Sequence, residues 1–383
     1  MGKKVLMVSD YSFKGSGYLN IVVPLSKGLA EMGHEVKAVG FGYQGEEHNF
    51  PFSILPCMSL NDGFAMVNNL KYLWGMDVVI VAMDIPQQEK FASLCKSLGV
   101  KMIAITPLEN PPLTFSWANS LQQIDKVFFI SQLGADEAVK AGVDAKHLIV
   151  GMDTESWRLR TAEEYQAARK MLNISDDTLV VLTVADNQER KNLSKAFEIV
   201  SKVKNEKKIK VKYILVTREN SEVGWKLRDL AMTYNIASEL MIFERGLPFK
   251  ELYSLYAMSD AFLLTSKAEG LCMPVMEAMS VGIPVVATNC GAITELLDNA
   301  RGYLLETEYS HIDPWGNSRR DFPNAESGAN FLEGLFLIKN DLTINPNRNW
   351  TVIQEARTYM NNRNWNVPVN QVHEAIEELT NEE

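Results

Sequence analysis

A chain of 383 residues, 46% of them hydrophobic, is long enough to bury two cores of ordinary domain size. Its formal net charge of -10 argues against a nucleic-acid partner held by phosphate neutralisation and leaves room only for a local basic patch. The four cysteines, Cys57, Cys95, Cys272 and Cys290, form no CxxC pair and have no histidine-rich partner, so neither a disulfide framework nor a zinc site is indicated and a reducing cytoplasm fits.

The start, MGKKVLMVSDYSF, carries an apolar run too short for a signal peptide, and no later run reaches transmembrane length. A strand is predicted over 4–9, then a loop containing Gly15 and Gly17, a helix over 21–32, and a strand over 35–39. That order is a βαβ unit and hence the beginning of a parallel, doubly wound sheet. Gly15 and Gly17 let backbone approach a ligand closely, the bland alternative being a simple turn. His34 reads as a structural turn residue, since no carboxylate or nucleophile pattern accompanies it.

Gly40, Gly42 and Gly45 spell a literal G-x-G-x-x-G after a strand. The following EEHNFP opens no helix and puts acid where a pyrophosphate would sit, so the stretch reads as a flexible loop and not as a dinucleotide site. Strands over 75–81 and 101–106 flank a helix over 87–98. In PLENPPLTFSW, 107–117, three prolines and two aromatics forbid a regular element, and Glu109 and Asn110 are its polar candidates, on a surface loop or at a site. A strand over 126–131 and a helix over 133–141 follow, and a hinge is placed at 151–157.

The second half repeats the alternation: helix 162–172, strand 178–184, helix 193–204, strand 212–217, helix 224–234, strand 240–243, and a loop and helix over 246–258. Between the first strand and the next helix lies ADNQERKNL. Arg190 and Lys191, two cations at a strand end, are placed to neutralise a diphosphate; as purely structural charges they would oppose the helix dipole. Lysines at 202, 204, 207, 208, 210 and 212 read as a solvated helix end and loop, with contact to anionic lipid as the alternative; no apolar helix face is read beside them. The most informative stretch is 261–297. A short apolar strand opens into a loop holding Glu269, Pro274 starts a short helix that carries Glu277, and Gly282 and Pro284 close it before a strand over 283–287. Amides near 270–273, at the helix start, are candidate phosphate ligands, and two carboxylates beside a diphosphate are useful for accepting from sugar or ribose hydroxyls. Residues 308–327 look like an insertion or mobile loop, and helices over 325–339, 351–361 and 369–379 close the chain.

The segment EGLCMPVMEAM, with PVVAT and Glu295 behind it, resembles the E-x7-E signature of retaining glycosyltransferases of family four, and ERKN resembles the Arg-Lys-Asn variant of that family's phosphate turn. The likeness spans most of residues 1 to 305. It implies an α/β, GT-B fold, two doubly wound parallel-sheet Rossmann-like domains facing a cleft: an acceptor-side domain over 1–152, joined by the C-terminal helix 369–383 with Trp365 at the crossing, and a nucleotide-sugar domain over 153–368. It further implies that Glu269 faces the transferred sugar and is the catalytic residue. Glu277 holds the ribose, and Arg190, Lys191, Gly270, Leu271 and Cys272 meet the donor, with Gly15 and Gly17 on the other side of the diphosphate. Cys272 stands where the family usually has glycine, Asp186 falls where other members carry an arginine that Arg190 replaces, and the family's histidine is missing between His48 and His147.

The expected activity is retaining transfer from a nucleotide-diphosphate sugar to a hydroxyl acceptor, with no cofactor and no metal, because no Asp-x-Asp triad appears and Asp176-Asp177 lies in a turn. A GT-B nucleotide-sugar epimerase and a non-catalytic sugar-nucleotide or glycan-binding protein stay open beside it. The expected location is the cytoplasm, with the membrane surface as a variant.

Overall fold

The structure, a computed structural model, describes residues 2–344 and 351–381, with no side-chain account from 340 to 344. Residues 1, 345–350, 382 and 383 of the expected segments therefore lie outside the described residues. The chain divides into two compact units, one of Met1–Gly151, Pro314–Ser318 and Arg363–Glu383, the other of Met152–Asp313 and Arg319–Asn362.

The first unit is built on seven strands: β1 (Lys4–Asp10), β2 (Glu35–Phe41), β3 (Ser53–Cys57), β4 (Val78–Ala82), β5 (Lys101–Thr106), β6 (Lys126–Phe129) and β7 (Ala145–His147). They pair in the order β3-β2-β1-β4-β5-β6-β7. Every pairing is parallel; a helix separates each two successive strands except β2 and β3, which the loop 42–52 joins. Both faces of such a sheet are covered, which is why Val5, Leu6, Met7 and Val8 are all fully buried instead of alternating. The last helix, Asn366–Asn381, packs on this unit: a Cβ on Gly28 would fall 2.4 Å from Val369, and one on Gly151 would fall 2.7 Å from the Trp365 indole.

The second unit carries β8 (Leu179–Val184), β9 (Val211–Thr217), β10 (Leu240–Glu244), β11 (Ala261–Leu264), β12 (Val285–Thr288) and β13 (Tyr303–Leu305), in the order β10-β9-β8-β11-β12-β13 and again parallel throughout. A buried carboxylate pins its first helix, Ala162–Met171: Asp260 accepts from Tyr165 at 2.9 Å, from Arg169 at 3.1 Å and from the Val180 amide at 2.7 Å. The α/β class with two parallel, Rossmann-like sheets is therefore as expected.

Four local expectations fail. Segment 308–327 is not a loop: β14 (Thr307–Ile312) and β15 (Arg319–Pro323) form an antiparallel hairpin, with Tyr309 stacked on Phe322 at 4.4 Å. Its polar, wholly exposed first strand hid the pattern. The prolines of 107–117 do not exclude a regular element, because a helix, Phe115–Leu121, starts just past them. Gly40 lies within β2 and not in a loop; a side chain there would meet Ile54 at 2.6 Å. The lysine run does grow from an amphipathic helix, Leu193–Asn205, but its apolar face of Leu193, Phe197, Val200 and Val203 is spent in the core. The lysines themselves meet acids of the same unit, Lys202 and Lys207 on Glu326, Lys204 on Glu239 and Lys210 on Asp177. Among the described residues no helix is long and apolar enough to cross a membrane.

Candidate active site

The loop after β11 is the centre of the second unit. It leaves the buried strand at Thr265 and stays buried through Leu271, then turns into the helix Met273–Val281. Cys272 makes that turn with φ 82°, a left-handed conformation that glycine adopts without cost, and supplies no side-chain cap. Pro274 lies in the first turn, where its missing N–H is no loss, and Gly282 ends the helix, again at φ 82°. The helix thus opens with its first amides unmet by any capping side chain, beside Gly270, Leu271 and Cys272.

The loop after β8 is laced to this one. The Lys267 amide donates to the Arg190 carbonyl at 2.8 Å, and the Thr265 hydroxyl donates to the Asn192 carbonyl at 3.0 Å. Glu189–Lys191 forms one short 3-10 turn, and Asn192, at φ 50°, swings the chain into the next helix, a left-handed position that asparagine tolerates. The result sets both cations on one carboxylate. Arg190 donates to Glu269 at 3.1 Å and to the Ala268 carbonyl at 2.6 Å, while Lys191 reaches the other Glu269 oxygen at 2.5 Å. Burial by itself would push the Glu269 carboxyl up; the charges of Lys191 and Arg190 outweigh it and hold the group at about 2. Glu269 is 4% exposed, so it is a buried, ionised carboxylate carrying two cations.

Glu277 is the opposite case. It lies inside the helix, 6% exposed, and accepts from the Tyr256 hydroxyl at 2.6 Å. Burial pushes its carboxyl up to about 7, and Tyr256 offsets only part of that. Two glutamates eight positions apart are thus separated into one permanently charged group and one poised near neutrality.

Asp186 is gripped by Arg218, with Nε at 3.2 Å, and by Arg245 at 3.1 Å. Arg218 and Arg245 were missed because they stand far along the chain, after β9 and β10, and only the sheet order brings those strand ends beside β8. Asn192 was missed as well: it is 4% exposed, and its side-chain amide nitrogen has no protein partner among the described residues. Gly15 and Gly17 lie in the first unit, in the loop after β1. Gly15 has φ 99°, which requires glycine, whereas Gly17 faces open space.

Two Rossmann-like parallel-sheet domains, the second with a phosphate-type corner after its first and fourth strands, define the GT-B class of fold. Residues 164–313 match the sequence model of the family described as Glycosyl transferases group 1. That stretch, less than half of the chain, contains EGLCMPVMEAM and agrees with the resemblance read from it. Over 228 residues the chain is 24% identical to the serotype-specific mannosyltransferase WbdA of Escherichia coli, a match covering 57% of this chain and 28% of that one. The chain thus matches little more than a quarter of that relative's length. A glycosyltransferase from Rickettsia africae superposes over 100% of both chains with a TM-score of 0.77 at 16% identity. Anabaena HepE, solved in complex with UDP-glucose, superposes over 98% of this chain and 99% of its own with a TM-score of 0.75, also at 16% identity.

Proposed function

We propose that this protein transfers a sugar from a nucleotide-diphosphate donor to a hydroxyl acceptor with retention of anomeric configuration. The observation that carries the reading is the convergence of Arg190 and Lys191 on Glu269 beside the uncapped helix start. In the free protein the cations neutralise the glutamate. When donor enters, its diphosphate takes over Arg190, Lys191 and the amides of Gly270 to Cys272, and Glu269 turns to the sugar hydroxyls. Glu277 accepts from the ribose. The C1–O bond to the diphosphate breaks, a bond forms from C1 to the acceptor oxygen on the same face, and the acceptor proton passes to the departing phosphate oxygen. That route asks for no side-chain base, which agrees with a corner holding no histidine. It also asks for no divalent cation, because two side-chain cations supply the charge.

The relatives support the donor class: a mannosyltransferase in sequence and a UDP-glucose complex in structure. The test is a panel of nucleotide sugars read by melting shift and by nucleotide release with and without acceptor alcohols and glycosides. Release that rises with acceptor and yields a product of unchanged anomeric configuration is the expected result. Inverted product, an epimerised donor, or melting shifts with no turnover under any acceptor would replace the reading with another.

A further inference from the structure

We infer that Lys267 is a positioning residue: it locks the turn Glu189–Lys191 and the hairpin of β14 and β15 to the loop that carries Glu269, so that the hairpin becomes part of the donor corner. The inference rests on the transferase reading and adds to it a residue that acts without touching substrate.

Lys267 lies two positions before Glu269, and each of its polar groups is engaged. Its amide donates to the Arg190 carbonyl at 2.8 Å, and its carbonyl accepts from the Asp321 amide at 2.9 Å. Its ammonium pairs with the Glu189 carboxylate and lies over the Phe322 ring, 4.6 Å from the centroid. Segments far apart in the chain thus meet on one residue: the turn that supplies both cations, the loop that supplies the carboxylate they hold, and β15.

Lysine is an unfavourable choice for a purely structural joint. Lys267 is 6% exposed, and burying an ammonium costs free energy unless it is paired. Glu189 gains little in return, since its side chain is 67% exposed and water would serve it. What the pair changes is geometry. It draws the first residue of the 3-10 turn inward, and the next two residues are Arg190 and Lys191, both on Glu269. Small displacements at such a corner act on rate before they act on stability.

The hairpin has no core of its own. Every position of β14 is exposed, and a two-stranded hairpin alone is only marginally stable in water. Besides the strand ladder, Tyr309 stacks on Phe322 and the Ser310 hydroxyl donates to Asp321 at 2.6 Å. The inner strand is the anchored one: Asp321 is 2% exposed, its amide is on Lys267, and the Phe322 ring lies under the Lys267 ammonium. Hairpin and donor loop therefore order each other, and a support of this kind fixes the side chains of a site.

The experiment compares Lys267→Met, Glu189→Gln, Phe322→Ala and Phe322→Tyr with the wild type, by kinetics with the donor and acceptor found by the panel and by amide hydrogen exchange of the full chain. Lys267→Met and Phe322→Ala should each lower kcat at least about tenfold while the donor KM stays within about threefold, the split expected of a residue that aligns the site without holding the ligand. Glu189→Gln, at an exposed position, keeps the fold and should lower kcat at least about threefold. Phe322→Tyr keeps the ring and should retain about half of the rate or more. In Phe322→Ala the amides of 189–192 and 265–271 should exchange at least about tenfold faster, with the strands of the same unit unchanged. The inference is overturned if kcat is unchanged in Lys267→Met, or in both Glu189→Gln and Phe322→Ala. It is also overturned if KM rises while kcat holds, which makes Lys267 a ligand contact, or if those amides keep their wild-type protection. If no donor turns over on the wild type, the transferase reading falls by itself, and the exchange arm still decides whether the hairpin orders the corner.

Discussion

Tyr256 and Glu277, from successive helices of the second unit, share a buried hydrogen bond of 2.6 Å in which the phenol donates to the carboxyl group. The bond satisfies Glu277 without ionising it. A carboxyl that burial holds at about 7 is protonated in part at neutral pH, and it becomes a full acceptor only when a ligand hydroxyl rewards the charge.

The sign of the resulting pH dependence is fixed. The folded value of about 7 lies above the free value of 4.5, so folding favours the protonated form. The stabilisation is complete below about pH 4.5 and is lost as pH rises through 7, a change on the order of 3 kcal/mol for a shift of this size. Urea midpoints of wild type and Glu277→Gln, measured from pH 5 to pH 8, should converge at low pH and separate at high pH with the variant the more stable. Parallel curves would show that Glu277 is ionised throughout.

Much of this corner was legible in the sequence because the information is local. Strand, loop, proline, helix and glycine follow one another in 261–284, and each residue type suits only one place in that order. Partners from distant strands were not legible. Tyr256 is 21 positions from Glu277, and Arg218 is 32 from Asp186, separations that mean nothing until the order β10-β9-β8-β11 is known. β3 was missed because Pro56 interrupts its run, and the helix Leu60–Leu73 because only Gly63 and Val67 of it are fully buried, which leaves little apolar periodicity to read. The hairpin of β14 and β15 failed for the same reason in another form: a strand exposed at all six positions has no apolar alternation.

The thiols should be inert in the native protein. All four are free; burial raises Cys57, pushes Cys95 and Cys272 up to about 12, and drives Cys290 well above its ordinary range. A thiol-specific disulfide reagent at pH 8 should label almost nothing until denaturant is added, and then all four. Rapid native labelling at Cys272 would place that side chain in a more open setting. At the same position Cys272→Gly should be tolerated within about 1 kcal/mol, relief of the φ 82° backbone offsetting lost thiol packing, while Cys272→Val should cost more, since a β-branched residue fits that conformation worst.

His34, His373 and Glu377 set their ligand-capable atoms within 4.8 Å of one another, a spacing that suggests a metal. The hydrogen bonds argue otherwise. His34 Nδ1 accepts from the Lys3 amide at 3.1 Å, which leaves the ring proton on Nε2, 2.9 Å from His373 Nδ1. A metal on Nε2 would force the proton to Nδ1, against an N–H. Zinc or nickel should therefore leave the melting temperature unchanged. Burial and the charge of His373 lower His34 below its ordinary value, while Glu377 and the Lys3 amide bond oppose them in part and the Lys3 charge adds to the lowering. A base depressed by folding stabilises above its free value of 6.5 and loses that contribution as pH falls through it. Hydrogen exchange along Asn366–Asn381 should accelerate, relative to the intrinsic rate, between pH 7 and pH 5. Unchanged protection would show that the histidine pair does not hold this helix.

Lys191 and Glu269 bear the heaviest load in the proposed chemistry, and their 2.5 Å contact makes stability and turnover separable. Lys191→Met leaves a carboxylate that is 4% exposed with Arg190 as its remaining charge partner, so stability should fall by roughly 2 kcal/mol, less than for a wholly stranded buried charge. Adding Glu269→Gln removes the buried charge, and the double variant should melt above Lys191→Met alone. Rates should move differently. Lys191→Ala and Glu269→Ala should each reduce turnover at least about a hundredfold, one through lost charge on the departing diphosphate and the other through lost steering of the sugar, and the double variant should recover none of it. The check is melting temperature and initial rate on the wild type and each of these variants with the donor found by the panel. If stability behaves as described while both single variants turn over at near wild-type rates, the pair is a structural ion pair and the donor's phosphates bind elsewhere.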